Sequence, residues 1–559
     1  MNRFHINHIT SKFTIPSGII TITAETLDLF ARTVPQLGIL TTKSIGVQPR
    51  RGNREPILCQ TEQGPHFCNA VGLANPGVTY WKKEVERIYP LPNNKFLLTS
   101  IFGGSVEEFV QLVRELDTVT DGFELNLSCP HASGFGMELG RDPHVVMAIL
   151  QAIRPLTEKP ILLKVSPNLE DTDGWLSSLD QQLFDGWVAI NTLGPYETRE
   201  PTNNEPILSN QKGGASGPSI FNHTLRVVKA IHKISSLPVI AMGGINTVEQ
   251  LIELEAAGAS FFGIGSALAM MATPTIRERL AQLEHHWKSK TDFQLALRTD
   301  GYMKYTKTTI IQKRLYAPDY LVIHTDFSIK AEPGQFMYLW DPELGEKPYS
   351  IATTAPLSFV IKPVGSHSQG ISNLQPGEPL WVRGPYGNAF PEPTNHPVYL
   401  IGGGTGLAPL VHWASKYPYQ GFLVGCRELQ TPIPLDIFVS EPAPDWIWYA
   451  DKPNEKGLII DQVMALLSEG TWDNTGRFYL CGPMAMEEAF CNRTATILSE
   501  KQTAYCIETY MKCGVGICGI CATPSGERSC VDGPVLCGDR FITQIPAISH
   551  MRNPDGSLH

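Results

Sequence analysis

From residue 513 the chain reads Cys-Gly-Val-Gly-Ile-Cys-Gly-Ile-Cys, and after a short loop Cys-Val-Asp-Gly-Pro-Val begins at residue 530. Three thiols separated by four residues and then by two, with a fourth further on, have the spacing that a 2Fe-2S cluster requires. Gly514, Gly516 and Gly519 let backbone amides bend around the sulfurs. Four thiolates also suit a structural zinc ion, although such sites usually space their ligands as two close pairs. An iron-sulfur centre passes electrons singly. The rest of the chain is therefore expected to hold a two-electron donor site and a two-electron acceptor site.

The 559 residues leave room for roughly three or four domains of about 150 residues. A formal charge of -10 offers no basic field for nucleic acid or anionic lipid. No window approaches the roughly 18 uninterrupted apolar residues of a membrane helix, and the N-terminal stretch lacks an apolar run of signal-peptide length. The composition predicts a cytoplasmic protein without membrane or nucleic-acid partners. The remaining thiols Cys59, Cys68, Cys426, Cys491, Cys506 and Cys537 show no partner spacing and are read as packing or surface residues.

Up to about residue 300, short apolar runs alternate with amphipathic segments. The runs are 38–44, 96–102, 123–129, 161–167, 186–194, 239–245 and 261–267. This rhythm predicts an α/β fold opening with a (βα)8 TIM barrel, closed by an amphipathic helix over 275–288. The chemistry-bearing residues gather at the C-terminal ends of the runs: Lys43 and Ser44, Asn126 to Cys129, Lys164 and Ser166, Asn191 and Thr192, Gly243 and Gly244, Gly265 and Ser266. Barrel enzymes build their sites on that rim, and the last glycines fall where a phosphate is held. An FMN is the expected occupant.

Four motifs make this specific: Glu-Leu-Asn-Leu-Ser-Cys-Pro at 124–130, Asn-Ala-Val-Gly-Leu-Ala-Asn-Pro-Gly at 69–77, Leu-Lys-Val-Ser-Pro-Asn at 163–168 and Gly-Gly-Ala-Ser-Gly-Pro at 213–218. Together, in this order, they resemble the dihydroorotate dehydrogenase family, and a Cys at 129 resembles its class 1 branch. The resemblance implies that Cys129 takes a proton from the dihydropyrimidine ring while the adjacent carbon gives hydride to the flavin. It implies substrate contacts at Lys43, Asn69, Gly72, Leu73, Asn126, Asn191 and Thr192. It places Ser17, Gly18, Lys43, Ser44, Asn126, Lys164, Gly217, Gly243, Gly244, Gly265 and Ser266 around FMN. The residue types agree: a thiolate of lowered pKa serves as a base, and each asparagine amide offers a donor and an acceptor to a pyrimidine edge. His131 stands where the family commonly has Asn. Dihydropyrimidine dehydrogenases of the same superfamily carry His there, which keeps uracil or thymine open as the substrate, whereas the length of the 131–143 loop resembles the class 1B orotate branch.

After a charged stretch over 290–307 the pattern changes to period two with Gly and Pro punctuation, as at 320–324, 335–339 and 358–363, predicting a small antiparallel β-barrel. Lys347-Pro348-Tyr349-Ser350 resembles the flavin-binding Arg-x-Tyr-Ser motif of the ferredoxin reductase superfamily, with Lys in place of Arg, and 384–390 resembles that family's barrel exit. Ile361, Lys362 and Ser368 join the FAD set by the same resemblance. Residues 398–401 then run into a glycine cluster containing Gly404, Thr405 and Gly406, and 478–480 run into Cys481-Gly482-Pro483. Strands ending in glycine before a helix put amide donors under a pyrophosphate. The pair of motifs resembles the nicotinamide lobe of ferredoxin reductases, with Cys481 near the ring.

In sequence, the barrel, the lobe and the cluster segment resemble the electron-transfer subunit of class 1B dihydroorotate dehydrogenase. That resemblance selects Cys513, Cys518, Cys521 and Cys530 as cluster ligands, with Cys530 preferred to Cys537. The whole reads as a fusion of catalytic and electron-transfer subunits. Its expected parts are an FMN barrel over 1–300, an FAD-binding β-barrel over 301–393, an NAD-binding α/β lobe over 394–500 and a 2Fe-2S domain with tail over 501–559. Its expected ligands are a small pyrimidine and a nicotinamide nucleotide, and the barrel is expected to form a homo-oligomer. A flavoprotein that only carries electrons is the remaining alternative, and Cys129 with its asparagines argues against it. The last residues, 553–559, are expected to be disordered.

Overall fold

The computed structural model describes residues 3–4, 8–9, 11–60, 67–127, 140–296, 303–317, 320–426, 446–450, 458–542 and 552–558. The chain divides into two compact units. The first comprises Met1–Met303, Val515–Arg528 and Arg552–His559, and the second Lys304–Gly514 and Ser529–Met551.

In the first unit eight strands close into a barrel: β1 (Phe13–Ile15), β2 (Leu37–Thr41), β3 (Phe96–Ile101), β4 (Gly122–Asn126), β5 (Ile161–Val165), β6 (Gly186–Ala189), β7 (Val239–Met242) and β8 (Phe261–Gly263). All neighbouring pairs are parallel, and β1 closes against β8 with Phe13 opposite Phe262. The expected TIM barrel is therefore present. Each strand is short, buried and followed by a helix with one apolar face. In Val106–Leu116, Ser105 accepts a hydrogen bond from the Glu108 amide and starts the helix, while Phe109, Leu112, Val113 and Leu116 face the barrel. The closing helix runs Thr273–Ser289.

Ile39, Leu98, Leu162, Val188, Ile240 and Phe261 form one buried cluster across the strands, with Phe4 packed against it. Side chains alternate along a strand, so the face that carries Leu98 and Leu162 reaches Ser100 and Lys164 two residues later. The barrel changes from apolar to polar toward the C-terminal ends of its strands. That transition positions the site.

Residues 553–558 of the tail are ordered, contrary to the expectation of disorder over 553–559. Arg552 bridges to Leu558, its guanidinium pairs with Glu25 at 2.7 Å, and the Leu558 amide donates to Tyr80 Oη at 3.0 Å. A buried ion pair and a bridge supply the fixed partners that terminal residues usually lack.

In the second unit six strands close into an antiparallel barrel: β9 (Thr306–Ala317), β10 (Tyr320–Thr325), β11 (Phe336–Asp341), β12 (Gly345–Thr354), β13 (Leu357–Ile361) and β14 (Pro379–Tyr386), in the order β9-β10-β13-β12-β11-β14. A six-stranded sheet follows, built from β15 (Val398–Gly403), β16 (Gly421–Cys426), β17 (Trp446–Ala450), β18 (Arg477–Cys481), β19 (Thr503–Cys506) and β20 (Val535–Cys537). Its order is β17-β16-β15-β18-β19-β20, parallel except for the last pair. The antiparallel barrel and the α/β lobe expected after the TIM barrel are both present. No helix among the described residues is long and apolar enough to cross a membrane.

Candidate active site

The strand ends of the first barrel enclose a cavity of about 190 Å³. Every residue that the sequence placed at FMN or substrate in this half lines it, Cys129 excepted: Ser17, Gly18, Lys43, Ser44, Asn69, Gly72, Leu73, Asn126, Lys164, Asn191, Thr192, Gly217, Gly243, Gly244, Gly265 and Ser266. Cys129 and His131 lie outside the described residues. A four-stranded antiparallel sheet of Leu58–Cys59, Phe67–Asn69, Lys212–Ser216 and Leu193–Glu197 brings Leu58, Phe67 and Asn69 to the same cavity. Asn69 is fixed there by donating to the Gly214 carbonyl at 3.2 Å.

The polar wall is one connected network. Asn191 Nδ2 donates to Asn126 Oδ1 at 3.2 Å, and Asn126 Nδ2 donates to Ser44 Oγ at 2.9 Å. Ser44 exchanges hydrogen bonds with Ser17 at 3.0 Å and with Ser100 at 2.9 Å. Ser100 donates to Glu124 Oε1 at 2.7 Å, and Lys164 Nζ lies 3.3 Å from the same oxygen. Ser100 and Glu124 were assigned no role from sequence. Their signal was available in the period of two, because Glu124 precedes Asn126 by two residues on β4 and shares its face.

The opposite wall fits a phosphate. Gly243 and Gly244 follow β7 with φ of 117° and 83°, and Gly217 precedes the short turn Pro218–Ile220 and the helix Phe221–Ile234. A Cβ on Gly244 would lie 2.8 Å from the Phe221 amide nitrogen, so only glycine brings the backbone this close to the helix start. Amides bared at a helix start bind an anion, and these residues fit FMN.

Residues 515–528 pack against the barrel that forms this cavity. The Ile20 amide donates to the Ile517 carbonyl at 2.7 Å, and the Met270 amide to the Val515 carbonyl at 2.9 Å. Arg528, fully buried, donates to the Gly516 carbonyl at 2.6 Å and the Met271 carbonyl at 2.8 Å. Arg552 from the tail donates to the Ala522 carbonyl at 3.0 Å. As a result Ile517 and Cys518 line the cavity together with Lys43 and Lys164. Cys521 is buried in the same segment, and Cys513 and Cys530 are buried in the second unit. Among the described residues no three of His, Cys, Asp or Glu form a group that could hold a metal ion.

The second unit holds a cavity of about 600 Å³, lined by Lys347, Pro348, Tyr349, Ser350, Lys362, Ser368, Thr405, Gly406 and Cys481. Ile361 instead packs in the core of the antiparallel barrel. Gly404, Gly482 and Pro483 sit at the ends of β15 and β18, outside the lining. Residues not foreseen from sequence also line it: His367, Cys506, Glu508 and Tyr510. Lys347 Nζ lies 4.7 Å from the centre of the Tyr510 ring, and Tyr349 Oη is 3.0 Å from His367 Nδ1. Burial, with the nearby Lys347 charge, lowers the His367 pKa to about 4. The Cys481 thiol is pushed well up, first by its hydrogen-bonding contact with the Cys506 thiol and then by burial. Burial raises the Glu508 carboxyl as well. Lysines and hydroxyls beside an aromatic face suit the pyrophosphate and ring of FAD.

Comparison with known proteins agrees with both ends of the chain. The family model described as dihydroorotate dehydrogenase matches residues 4–285, just over half of the chain. The model described as the iron-sulfur cluster binding domain of dihydroorotate dehydrogenase B matches residues 508–542. The catalytic subunit of dihydroorotate dehydrogenase B (NAD(+)) from Thermococcus kodakarensis is 38% identical over 253 residues, covering 45% of this chain and 82% of that protein. The corresponding Pyrococcus furiosus protein is 38% identical over 264 residues, covering 47% and 85%, and the one from Pyrococcus abyssi 36% over 276 residues, covering 49% and 90%.

Proposed function

The chain belongs to the dihydroorotate dehydrogenase family, and from that premise we propose that it oxidises dihydroorotate to orotate and delivers the electrons through a 2Fe-2S cluster and FAD to NAD, as an enzyme of pyrimidine biosynthesis. The observation that carries this reading is the placement of Ile517 and Cys518, from the segment matched by the cluster-binding family, in the wall of the cavity that fits FMN.

FMN supplies the two-electron sink when bound. The chain's own residues hold and orient the reactants. Gly217, Gly243, Gly244, Gly265 and Ser266 would take the phosphate, with Ser17, Gly18 and Ser44 beside them. Lys164 would face the flavin. Lys43, Asn69, Gly72, Leu73, Asn126, Asn191 and Thr192 would orient the pyrimidine, the asparagine amides matching its alternating carbonyl and N-H edges. Cys129 would take the proton from the carbon next to the one that gives up hydride, so that the substrate loses two electrons and two protons in all. Cys513, Cys518, Cys521 and Cys530 would ligate the cluster. The second cavity, with Lys347, Pro348, Tyr349, Ser350, Lys362, Ser368, Thr405, Gly406 and Cys481, would bind FAD and admit NAD, while Ile361, Gly404, Gly482 and Pro483 would support that lining from outside it.

With this reading go a division into four functional parts at about residues 300, 393 and 500, a cytoplasmic location and self-association through the barrel. Anaerobic stopped-flow absorbance tests the central claim. The flavin- and iron-loaded protein is mixed separately with dihydroorotate, dihydrouracil and NADH. Rapid bleaching by dihydroorotate and by NADH is expected, with none by dihydrouracil. Bleaching by dihydrouracil instead would make the enzyme a dihydropyrimidine dehydrogenase with His131 as the deciding residue.

A further inference from the structure

Cys59 and Cys68 are free, fully buried thiols that stand directly opposite each other on the antiparallel strands Leu58–Cys59 and Phe67–Asn69 of the first unit. Their spacing in the sequence announces no partner; the strand register pairs them. Opposed residues of antiparallel strands have Cα atoms about 4.5–5.5 Å apart, within the span of about 4.4–6.8 Å that a disulfide bridges.

An inert core thiol meets apolar atoms, whereas this pair meets polar ones. The Cys59 sulfur lies 3.0 Å from Thr198 Oγ1 and 3.7 Å from the Cys68 carbonyl, and the Cys68 sulfur lies 3.8 Å from the Tyr196 carbonyl. Hydrogen bonding from the Cys59 thiol pulls the Cys68 thiol below its ordinary pKa, against burial and with help from the Gly213 backbone. The thiolate is the form that attacks an oxidant. Side chains alternate between the faces of a sheet, so the two cysteines face away from the cavity that their neighbours Leu58, Phe67 and Asn69 line.

We propose that Cys59 and Cys68 are a modification site, oxidised by hydrogen peroxide to a cross-strand disulfide that shifts the wall of the first cavity. Burial of both sulfurs admits an oxidant of this size and excludes larger ones. The Cys68 thiolate attacks one peroxide oxygen; the O–O bond breaks, an S–O bond forms, and the departing oxygen leaves as water once protonated. The Cys59 sulfur then attacks the Cys68 sulfenic acid, the S–S bond forms, the S–O bond breaks, and a second water leaves. The two thiols lose two electrons and two protons, and the peroxide takes up both. A disulfide holds its Cβ atoms about 3.8 Å apart, nearer than the about 4.5–5.5 Å of an unbridged opposed pair. Forming it therefore moves the strands that carry Leu58, Phe67 and Asn69. Its effect on dihydroorotate rests on the function proposed above; the chemistry at the sulfurs does not.

Mass spectrometry of the holoenzyme after exposure to hydrogen peroxide tests the bond directly. Cleavage after Glu62 separates the two cysteines in sequence. Fragments of the treated wild type should stay joined, lighter by two hydrogen atoms than the separate pair, until dithiothreitol frees them. In Cys59→Ser the Cys68 sulfur should stop at the sulfenic acid and take up dimedone. Fragments that separate without reductant, or a Cys68 in that variant that takes up no dimedone, overturn the inference. Mapping of the wild type needs no substitution, so it decides the bond whether or not the variants fold. Single-turnover reduction of FMN reads the consequence: peroxide should weaken apparent dihydroorotate binding about tenfold by misplacing the cavity wall. Dithiothreitol should restore it, and Cys68→Ser should be insensitive to the same treatment. A disulfide that forms without weakening dihydroorotate binding overturns its link to the cavity. Failure of dihydroorotate to reduce the untreated enzyme would overturn the proposed function itself, an outcome distinct from an absent disulfide.

Discussion

Lys164 Nζ stands 3.3 Å from Glu124 Oε1, both side chains being almost wholly buried where the barrel interior turns polar. Ser100 donates to that same oxygen. Separating such a pair leaves a buried charge without its counterion, which typically costs ~3–5 kcal/mol. Glu124→Gln should therefore lower the melting temperature of the apoprotein markedly, and Lys164→Met should do the same. The double variant should recover much of the loss, because neither buried charge then remains without its counterion. Calorimetry of the three variants checks this. Losses that simply add would show that the two side chains are not coupled.

Acid should destabilise the second unit in a defined window. His367 is neutral in the folded protein, with a pKa lowered to about 4 by burial and the Lys347 charge, and burial with the Lys416 charge lowers His412 to about 4 as well. In the unfolded chain each titrates near its ordinary value of about 6.5. Above that value neither state takes up the proton and the full stability is present. Between about pH 6.5 and 4 only the unfolded chain gains protons, so stability falls as pH falls, by ~3 kcal/mol for each histidine across the window. Urea unfolding of the second unit at stepped pH measures the slope. His367→Gln should flatten it by about one proton, and an unaltered slope would remove His367 as a contributor.

How far these features were legible depends on whether the responsible pattern is local. The strands β2 to β8 announce themselves as apolar runs before polar rims, but β1 is only Phe13–Ile15 and is too short to show a period. The cavity residues lay in contiguous motifs, and all those described meet in one place. Glu124 was visible within such a motif yet silent, because its partner Lys164 is 40 residues away and only the pairing of β4 with β5 joins them. The same holds for Arg383, whose hydrogen bond to the Cys513 carbonyl spans an entire lobe in sequence. Arg552 has no role that the sequence assigns; its contacts to Glu25 and Ala522 depend on the chain returning to the first unit. Long-range polar pairing leaves no periodic trace in a sequence.

The segment that carries Cys518 should be separable from the chemistry at the cavity. Cys518→Ser is expected to abolish NAD reduction by dihydroorotate while leaving reduction of FMN by dihydroorotate intact. Arg528→Met should weaken the same transfer, because it removes the donors that fix Gly516 and Met271. Steady-state NADH formation reports the first property and single-turnover flavin bleaching the second. Normal NADH formation in Cys518→Ser would sink the proposed electron route.

Cys129 lies outside the described residues, so its role is a matter for kinetics. As the base that takes the substrate proton, its loss in Cys129→Ala should slow flavin reduction by ~10²–10⁴-fold at neutral pH. Serine keeps an oxygen in place of the sulfur but ionises only at much higher pH, so Cys129→Ser should be equally slow at neutral pH and recover partly as the pH rises. Alanine should not recover. The electron acceptor is unaffected in either variant, which means that reduction of the second flavin by NADH should proceed at the wild-type rate and serves as the internal control. Unchanged flavin reduction by dihydroorotate in both variants would move the proton to another acceptor, and Lys43, which lines the cavity, would be the first to substitute.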